Sequence, residues 1–170
     1  MNQPELFWLC SKKAGETLAI LVSPIGYVRG GRQNVQDDGW QKIEARIELD
    51  GNEFSPEALA GLEAFSHVEV LFHFHAVRED AVEKAARHPR GNTAWPKVGI
   101  FAQRGKDRPN RIGATICELL SVDGTTLRVR GLDAIDGTPV IDIKPVMTGF
   151  LPRGPIREPG WATALMKAYW

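Results

Sequence analysis

The chain has 170 residues, 43% of them hydrophobic and 25% charged, values that fit one globular domain with a real core. Basic and acidic residues number 21 each, so no overall field draws in nucleic acid or an anionic membrane; an RNA substrate would need a local patch. The two cysteines, Cys10 and Cys117, have no C-x-x-C spacing and read as idle, reduced thiols. No apolar run is long enough to span a bilayer, and Met1 to Ser11 lacks the pattern of a secretion signal, so the expected location is the cytoplasm.

In chain order, residues 1–16 are polar and read as an N-terminal arm, 17–152 as the main domain and 153–170 as a C-terminal helical tail. Thr17 to Arg29 is apolar and β-branched and is expected as a strand in two parts, broken at Pro24. Ile43 to Leu49 alternates, with Ile43, Ala45, Ile47 and Leu49 on one face, the pattern of a half-buried strand. Ser55-Pro56-Glu57 opens a short helix to about Phe65, with Ser55 as N-cap. His67 to His75 alternates again. Residues 76–96 read as a short helix and a long exposed loop, and Val98 to Ala102 as a strand.

Ile112 to Val122 and Thr125 to Gly131 form a hairpin pattern closed at Asp123-Gly124, a type I′ signal. Asp136-Gly137 marks a turn, Val140 to Lys144 a strand between two prolines, and Trp161 to Trp170 an amphipathic helix. The expected fold is mainly β: a closed or nearly closed β-barrel with a few short helices and a C-terminal helix. No G-x-G-x-x-G follows a first strand, so the usual Rossmann route to a nucleotide cofactor is missing.

Three constellations carry chemistry. The loop Arg104-Gly105-Lys106-Asp107-Arg108-Pro109-Asn110-Arg111 gathers four cations. Arg offers a planar fork for carboxylate or phosphate, and Pro109-Asn110 restricts the backbone beside it; a solvated basic turn is the plainer alternative. The run Gly131 to Pro145 holds Asp133, Asp136 and Asp142. The first two suit ribose hydroxyls or an adenine amine, while Asp136 alone also suits simple turn chemistry. Asp142 and Lys144 share one face of a strand, as a surface ion pair or as a semi-buried carboxylate with its partner. His73, His75 and Glu79 match part of a cupin-type metal site, against the plainer reading of hydrogen-bonded or exposed histidines.

Several segments together resemble one family. They are Pro24 to Arg29, Leu62 to Val68, Val98 to Arg104, Arg108 to Gly113 and Leu132 to Pro145, in order across roughly residues 22–146. These are similar to the TsaA-like (TrmO) family, whose best-known activity is methylation, from S-adenosylmethionine (SAM), of the exocyclic amine of an adenosine beside the tRNA anticodon. The resemblance implies a SAM-binding β-barrel, acting as a homodimer with the cofactor near a subunit boundary and with no bound metal. By position it implies a cofactor site of Gln33, His75, Arg104, Leu132, Asp133, Ala134 and Asp136. Asp142 and Lys144 would lie at the reacting end. Lys106, Arg108 and Arg111 would track RNA phosphates, and Trp40 or Trp95 would stack on a base or else pack in the core. The chain departs from the family pattern in a shortened loop at Gly30 to Asn34, in Arg111 for a second proline and in Val146 for a tyrosine. Two further readings are a SAM-sensing adaptor without turnover, and a cupin-like metal-dependent enzyme using His73, His75 and Glu79.

Overall fold

The computed structural model describes residues 20–170. The expected arm 1–16, and Cys10 with it, lie outside the described residues. Eight strands are present among the described residues: Gly26–Arg29 (β1), Glu44–Leu49 (β2), His67–His73 (β3), Ala86–Arg87 (β4), Val98–Gly99 (β5), Ile112–Asp123 (β6), Thr126–Arg130 (β7) and Pro139–Pro145 (β8). Six of them close into a barrel in the order β1-β2-β7-β6-β3-β8, every neighbouring pair antiparallel. The barrel has no free edge, so its backbone groups are satisfied all the way round.

Period-two patterning dictates this packing. Ala45, Ile47 and Leu49 of β2, Leu127 and Val129 of β7, and Val68, Val70 and Phe72 of β3 all face inward and are buried. Their outward neighbours Glu44, Arg128, Arg130 and Glu118 form a cross-strand ladder of ion pairs, including Arg128 to Glu44 at 2.9 Å and Arg130 to Glu118 at 2.6 Å. Two close approaches require glycine. A Cβ on Gly26 would meet the Glu48 carbonyl oxygen of β2 at 2.3 Å, and one on Gly113 would meet the Phe72 ring at 2.5 Å. Strand β8 carries an extra residue against β3: Leu71 pairs with Asp142 and Phe72 with Val140. That bulge lets both Val140 and Ile143 pack on the core and turns Asp142 outward with Lys144.

Local structure departs from expectation at several places. Of the two-part strand expected over Thr17 to Arg29, only Gly26–Arg29 is strand among the described residues, and Ile20 and Leu21 are exposed. The helix expected from Ser55 is two 3-10 turns, Pro56–Leu59 and Leu62–Ala64, split by Gly61 at φ 86°. Ser55 makes no backbone cap; its hydroxyl bonds the Glu57 carboxylate instead. The hairpin turns one residue later than its Asp-Gly signal. Asp123 pairs with Thr126, so Gly124 and Thr125 are the central residues. Only Gly124 has positive φ, at 57°, which makes the turn type II′ rather than I′. The strand expected at Val98 to Ala102 is Val98–Gly99 followed by a 3-10 turn, Ile100–Ala102. Over 76–96, expected as a short helix and a long exposed loop, the helix is a 3-10 turn, Glu79–Ala81, and the stretch after it is tied down by the two-stranded β4–β5 sheet. The C-terminal helix is Gly160–Met166 (α1), shorter than the periodicity indicates.

Substituting Gly26→Ala drives a methyl group into the backbone of β2, which cannot move aside as a side-chain tip does. The expected cost is about 2 kcal/mol or more, read as a lower midpoint in urea unfolding.

Candidate functional site

The antiparallel order brings the ends of β1, β3 and β7 and the starts of β2, β6 and β8 to one rim. A cavity of about 930 Å³ opens there, within the size range of small-molecule sites. Its walls come from five parts of the chain: 35–40 after β1, 74–77 after β3, the excursion 87–107, the turn 133–138, and the tail 157–169.

The turn before β8 is fixed first. The Asp136 carboxylate accepts the Gly30 N–H at 2.7 Å, and the Asp136 N–H donates to the Arg32 carbonyl at 2.8 Å. Gly137, at φ 77°, donates to the Val28 carbonyl. Leu132 is buried in the barrel core. With both ends anchored, Asp133 and Ala134 are presented to the cavity.

Across the cavity lies the basic loop. Gln103 is buried, and its amide donates to the carbonyls of Arg87 at 3.2 Å and Val98 at 3.0 Å. Arg87 of β4 pairs with Asp107 at 2.7 Å, which ties the loop to β4, with Gly105 close against the Arg87 guanidinium. Asn110 and Arg111 both adopt positive φ, 63° and 50°, so the restricted geometry expected beside Pro109 is present. Arg108 donates to the Gln103 carbonyl at 3.2 Å and Arg111 to the Val77 carbonyl at 2.7 Å. These two guanidinium groups therefore hold the loop and do not line the cavity.

Charge is distributed unevenly around the walls. Arg87, Arg90 and Lys106 each pair with a carboxylate, the last two with Asp38 at 2.7 Å and Asp37 at 3.3 Å. Arg104 lines the cavity with no carboxylate within salt-bridge distance among the described residues; it donates to the Ala114 carbonyl at 2.5 Å. Its charge is thus available to an anionic group. Burial pushes the Asp133 carboxyl up to about 6, against the pull of the Tyr169 hydroxyl, Arg104 and Lys106 and with the push of Asp37. Burial and the Asp133 charge raise the Tyr169 phenol well above its usual range. One cavity thus carries an uncommitted cation and a desolvated carboxyl, together with apolar Ala134, Ile135 and Leu165.

Of the expected cofactor residues, His75, Arg104, Asp133 and Ala134 line this cavity. Leu132 lies in the core beneath it, Asp136 anchors the turn, and Gln33 is exposed away from it. Lys106 lines it as well. Asp142 and Lys144 pair with each other on the outer face of β8, and Asp142 lines a second, smaller cavity of about 520 Å³ beside the 3-10 turns at 56–64. They do not reach the large cavity of their own chain. Trp40 is 2% exposed and covered by the Arg32 guanidinium, 4.4 Å from its ring centroid, so it packs rather than stacking on a base. Trp95 does not line the cavity. His73, His75 and Glu79 are not drawn together: no group of three His, Cys, Asp or Glu suited to a metal ion exists among the described residues, and Glu79 faces Arg111 at 3.9 Å. Cys117 is a free, buried thiol pushed up to about 12 by desolvation, which suits packing rather than nucleophilic chemistry.

The sequence reading missed Arg90 and Tyr169. Nothing local marks Tyr169, which reaches Asp133 across 36 positions.

Residues 32–150 match the family described as the tRNA-methyltransferase O N-terminal domain. The chain belongs to this family. A human protein named tRNA (adenine(37)-N6)-methyltransferase is 34% identical over 157 residues, covering 88% of this chain and 35% of that protein. A Methanothermobacter thermautotrophicus protein named probable S-adenosyl-L-methionine-binding protein is 39% identical over 130 residues, covering 75% of this chain and 90% of that one. The crystal structure of TrmO from Pseudomonas aeruginosa superposes with a TM-score of 0.70 at 31% identity, over 86% of this chain and 63% of that chain. The chain spans about a third of the length of the mammalian relatives and nearly all of the archaeal one. No helix among the described residues is long and apolar enough to cross a membrane.

A carboxyl with a raised folded-state value binds protons that the unfolded chain has already released. Between about pH 4 and about 6 the folded chain holds more protons, so the Asp133 contribution to stability falls as pH rises through that window. Asp133→Asn removes this penalty. The variant is expected to be more stable than wild type at pH 7, by on the order of 2 kcal/mol, with the difference vanishing near pH 4 in thermal unfolding.

Proposed function

We propose that the large cavity binds SAM and that the protein transfers the SAM methyl group to the exocyclic amine of an adenosine next to a tRNA anticodon. The observation that carries this reading is the pairing of an unneutralised Arg104 with a desolvated Asp133 across an apolar-walled cavity. The residues fit the cofactor's parts. The Arg104 fork suits its carboxylate, Asp133 suits ribose hydroxyls, and Ala134, Ile135 and Leu165 offer a dry wall to the adenine. Bound SAM supplies an activated methyl group. The names of the relatives, a methyltransferase and a SAM-binding protein, support the same chemistry.

An adenine amine is a poor nucleophile, so the protein's main contribution is alignment. Fixed walls hold the two reacting groups at near-attack distance and exclude water. Arg157, at the cavity with no carboxylate within salt-bridge distance among the described residues, meets RNA phosphates, because Arg108 and Arg111 are committed to backbone carbonyls and Lys106 to Asp37. The amine proton needs an acceptor within hydrogen-bond reach. Asp142 with Lys144 fills that role only from a second protomer, since one chain keeps them off its own cavity. The functional unit is accordingly a homodimer with shared sites, and a cytoplasmic setting suits its tRNA substrate.

Calorimetric titration of SAM into wild type and Arg104→Ala tests this. Loss of a charge-assisted contact is expected to weaken binding by about tenfold or more, with tRNA methylation falling in parallel. A folded wild-type protein that takes up no SAM overturns the reading. For the shared site, Arg104→Ala mixed with Asp142→Ala is expected to methylate faster than either variant alone; no gain on mixing places both residues in one protomer's work.

A further inference from the structure

The tail lies beyond the matched residues 32–150, yet it builds one wall of the cavity. It is held at three points. The N–H groups of Gly39 and Trp40 donate to the carbonyls of Ala168 and Tyr169, each at 2.9 Å. The Tyr169 hydroxyl donates to Asp133 Oδ2. The Arg90 guanidinium lies 5.8 Å from the Tyr169 ring centroid, itself fixed by Asp38. No other donor reaches the Asp133 carboxyl among the described residues, which leaves Oδ1 of this cavity-lining residue without a partner.

We propose that Tyr169 is a positioning residue of the cofactor site: its hydroxyl holds one oxygen of Asp133 so that the other is presented to a ribose hydroxyl of the cofactor. This role rests on the reading of the cavity as a SAM site. The tail is then part of the binding machinery, tied through Gly39 and Trp40 to the segment that also carries Asp37.

The geometry has an electrostatic consequence. The groups facing Asp133 are Tyr169 from the tail, Arg104 and Lys106 from the basic loop, and Asp37 from the segment after β1. Tyr169 and the two cations favour the ionised carboxylate, while burial and Asp37 oppose it. A protonated Asp133 loses acceptor capacity for a ribose hydroxyl, so binding weakens as pH falls through the carboxyl's titration. Removing the Tyr169 hydroxyl moves that titration upward.

SAM is titrated into the full chain as wild type, Tyr169→Phe and Tyr169→Ala, from about pH 5.5 to about pH 8.5, a span that brackets the Asp133 carboxyl. Tyr169→Phe keeps the ring against Arg90 and removes only the hydroxyl. It is expected to bind about tenfold more weakly than wild type near pH 6, with the gap narrowing as pH rises. Tyr169→Ala, which also loses the ring, is expected to be weaker throughout. Carbon NMR titration of the Asp133 carboxyl in unliganded protein is expected to move to higher pH in Tyr169→Phe, a change that mere packing of the tail would not produce. Binding by Tyr169→Phe equal to wild type at every pH, or tighter, overturns the role of Tyr169 and leaves the cofactor reading intact. A folded wild type that binds no SAM at any pH removes both.

Discussion

Closure of the barrel between β1 and β8 is the constraint on which the rest of the molecule depends. Gly26 pairs with Leu49 of β2 on one side and with Val140 of β8 on the other, and the Ile25 N–H adds a bond to the Val140 carbonyl at 2.8 Å. A side chain at Gly26 would block the first of these pairings. Once the sheet is closed, the six strand ends at one rim are fixed relative to one another. The loops leaving that rim then have defined starting points. Asp136 carries the same constraint outward, locking the turn before β8 to the segment after β1.

The cavity above the rim is held by ion pairs between segments remote in sequence. Lys106 meets Asp37 and Arg90 meets Asp38, which joins the basic loop and the 87–91 turn to the segment after β1. Exposed pairs of this kind are individually weak. Here they meet around one carboxyl that is desolvated and short of donors. Asp133 is unfavourable for folding near neutral pH and useful for binding, the usual tension between stability and a preorganised polar site. The loop cations divide by role: Arg108 and Arg111 shape the loop, and Arg104 is left to act.

Much of the barrel was legible in the sequence because alternation has only one physical meaning over Ile43 to Leu49 and over His67 to His73. A one-residue error there would expose Ile47 or Val70. The same logic missed what alternation does not encode. The bulge in β8, which turns Asp142 outward, depends on the partner strand β3. The hairpin shift at Gly124 depends on which pairing of β6 and β7 buries Leu127 and Val129. At the site, Arg104 and Asp133 stood out because a basic loop and an acidic turn are local patterns. Tyr169 and Arg90 did not, because their meaning lies in contacts across 36 and 52 positions. Asp142 and Lys144 were read as one unit with the turn that precedes them, and the barrel wall separates the two.

Amide hydrogen exchange with and without SAM tests the central claim most directly, since it reports where the ligand acts along the whole chain. The account predicts slower exchange at 101–107, at 131–138 and in the tail at 161–169, three segments that meet only around the large cavity. Slowing confined to the 3-10 turns at 56–64 and the end of β8, or none at all, would contradict it.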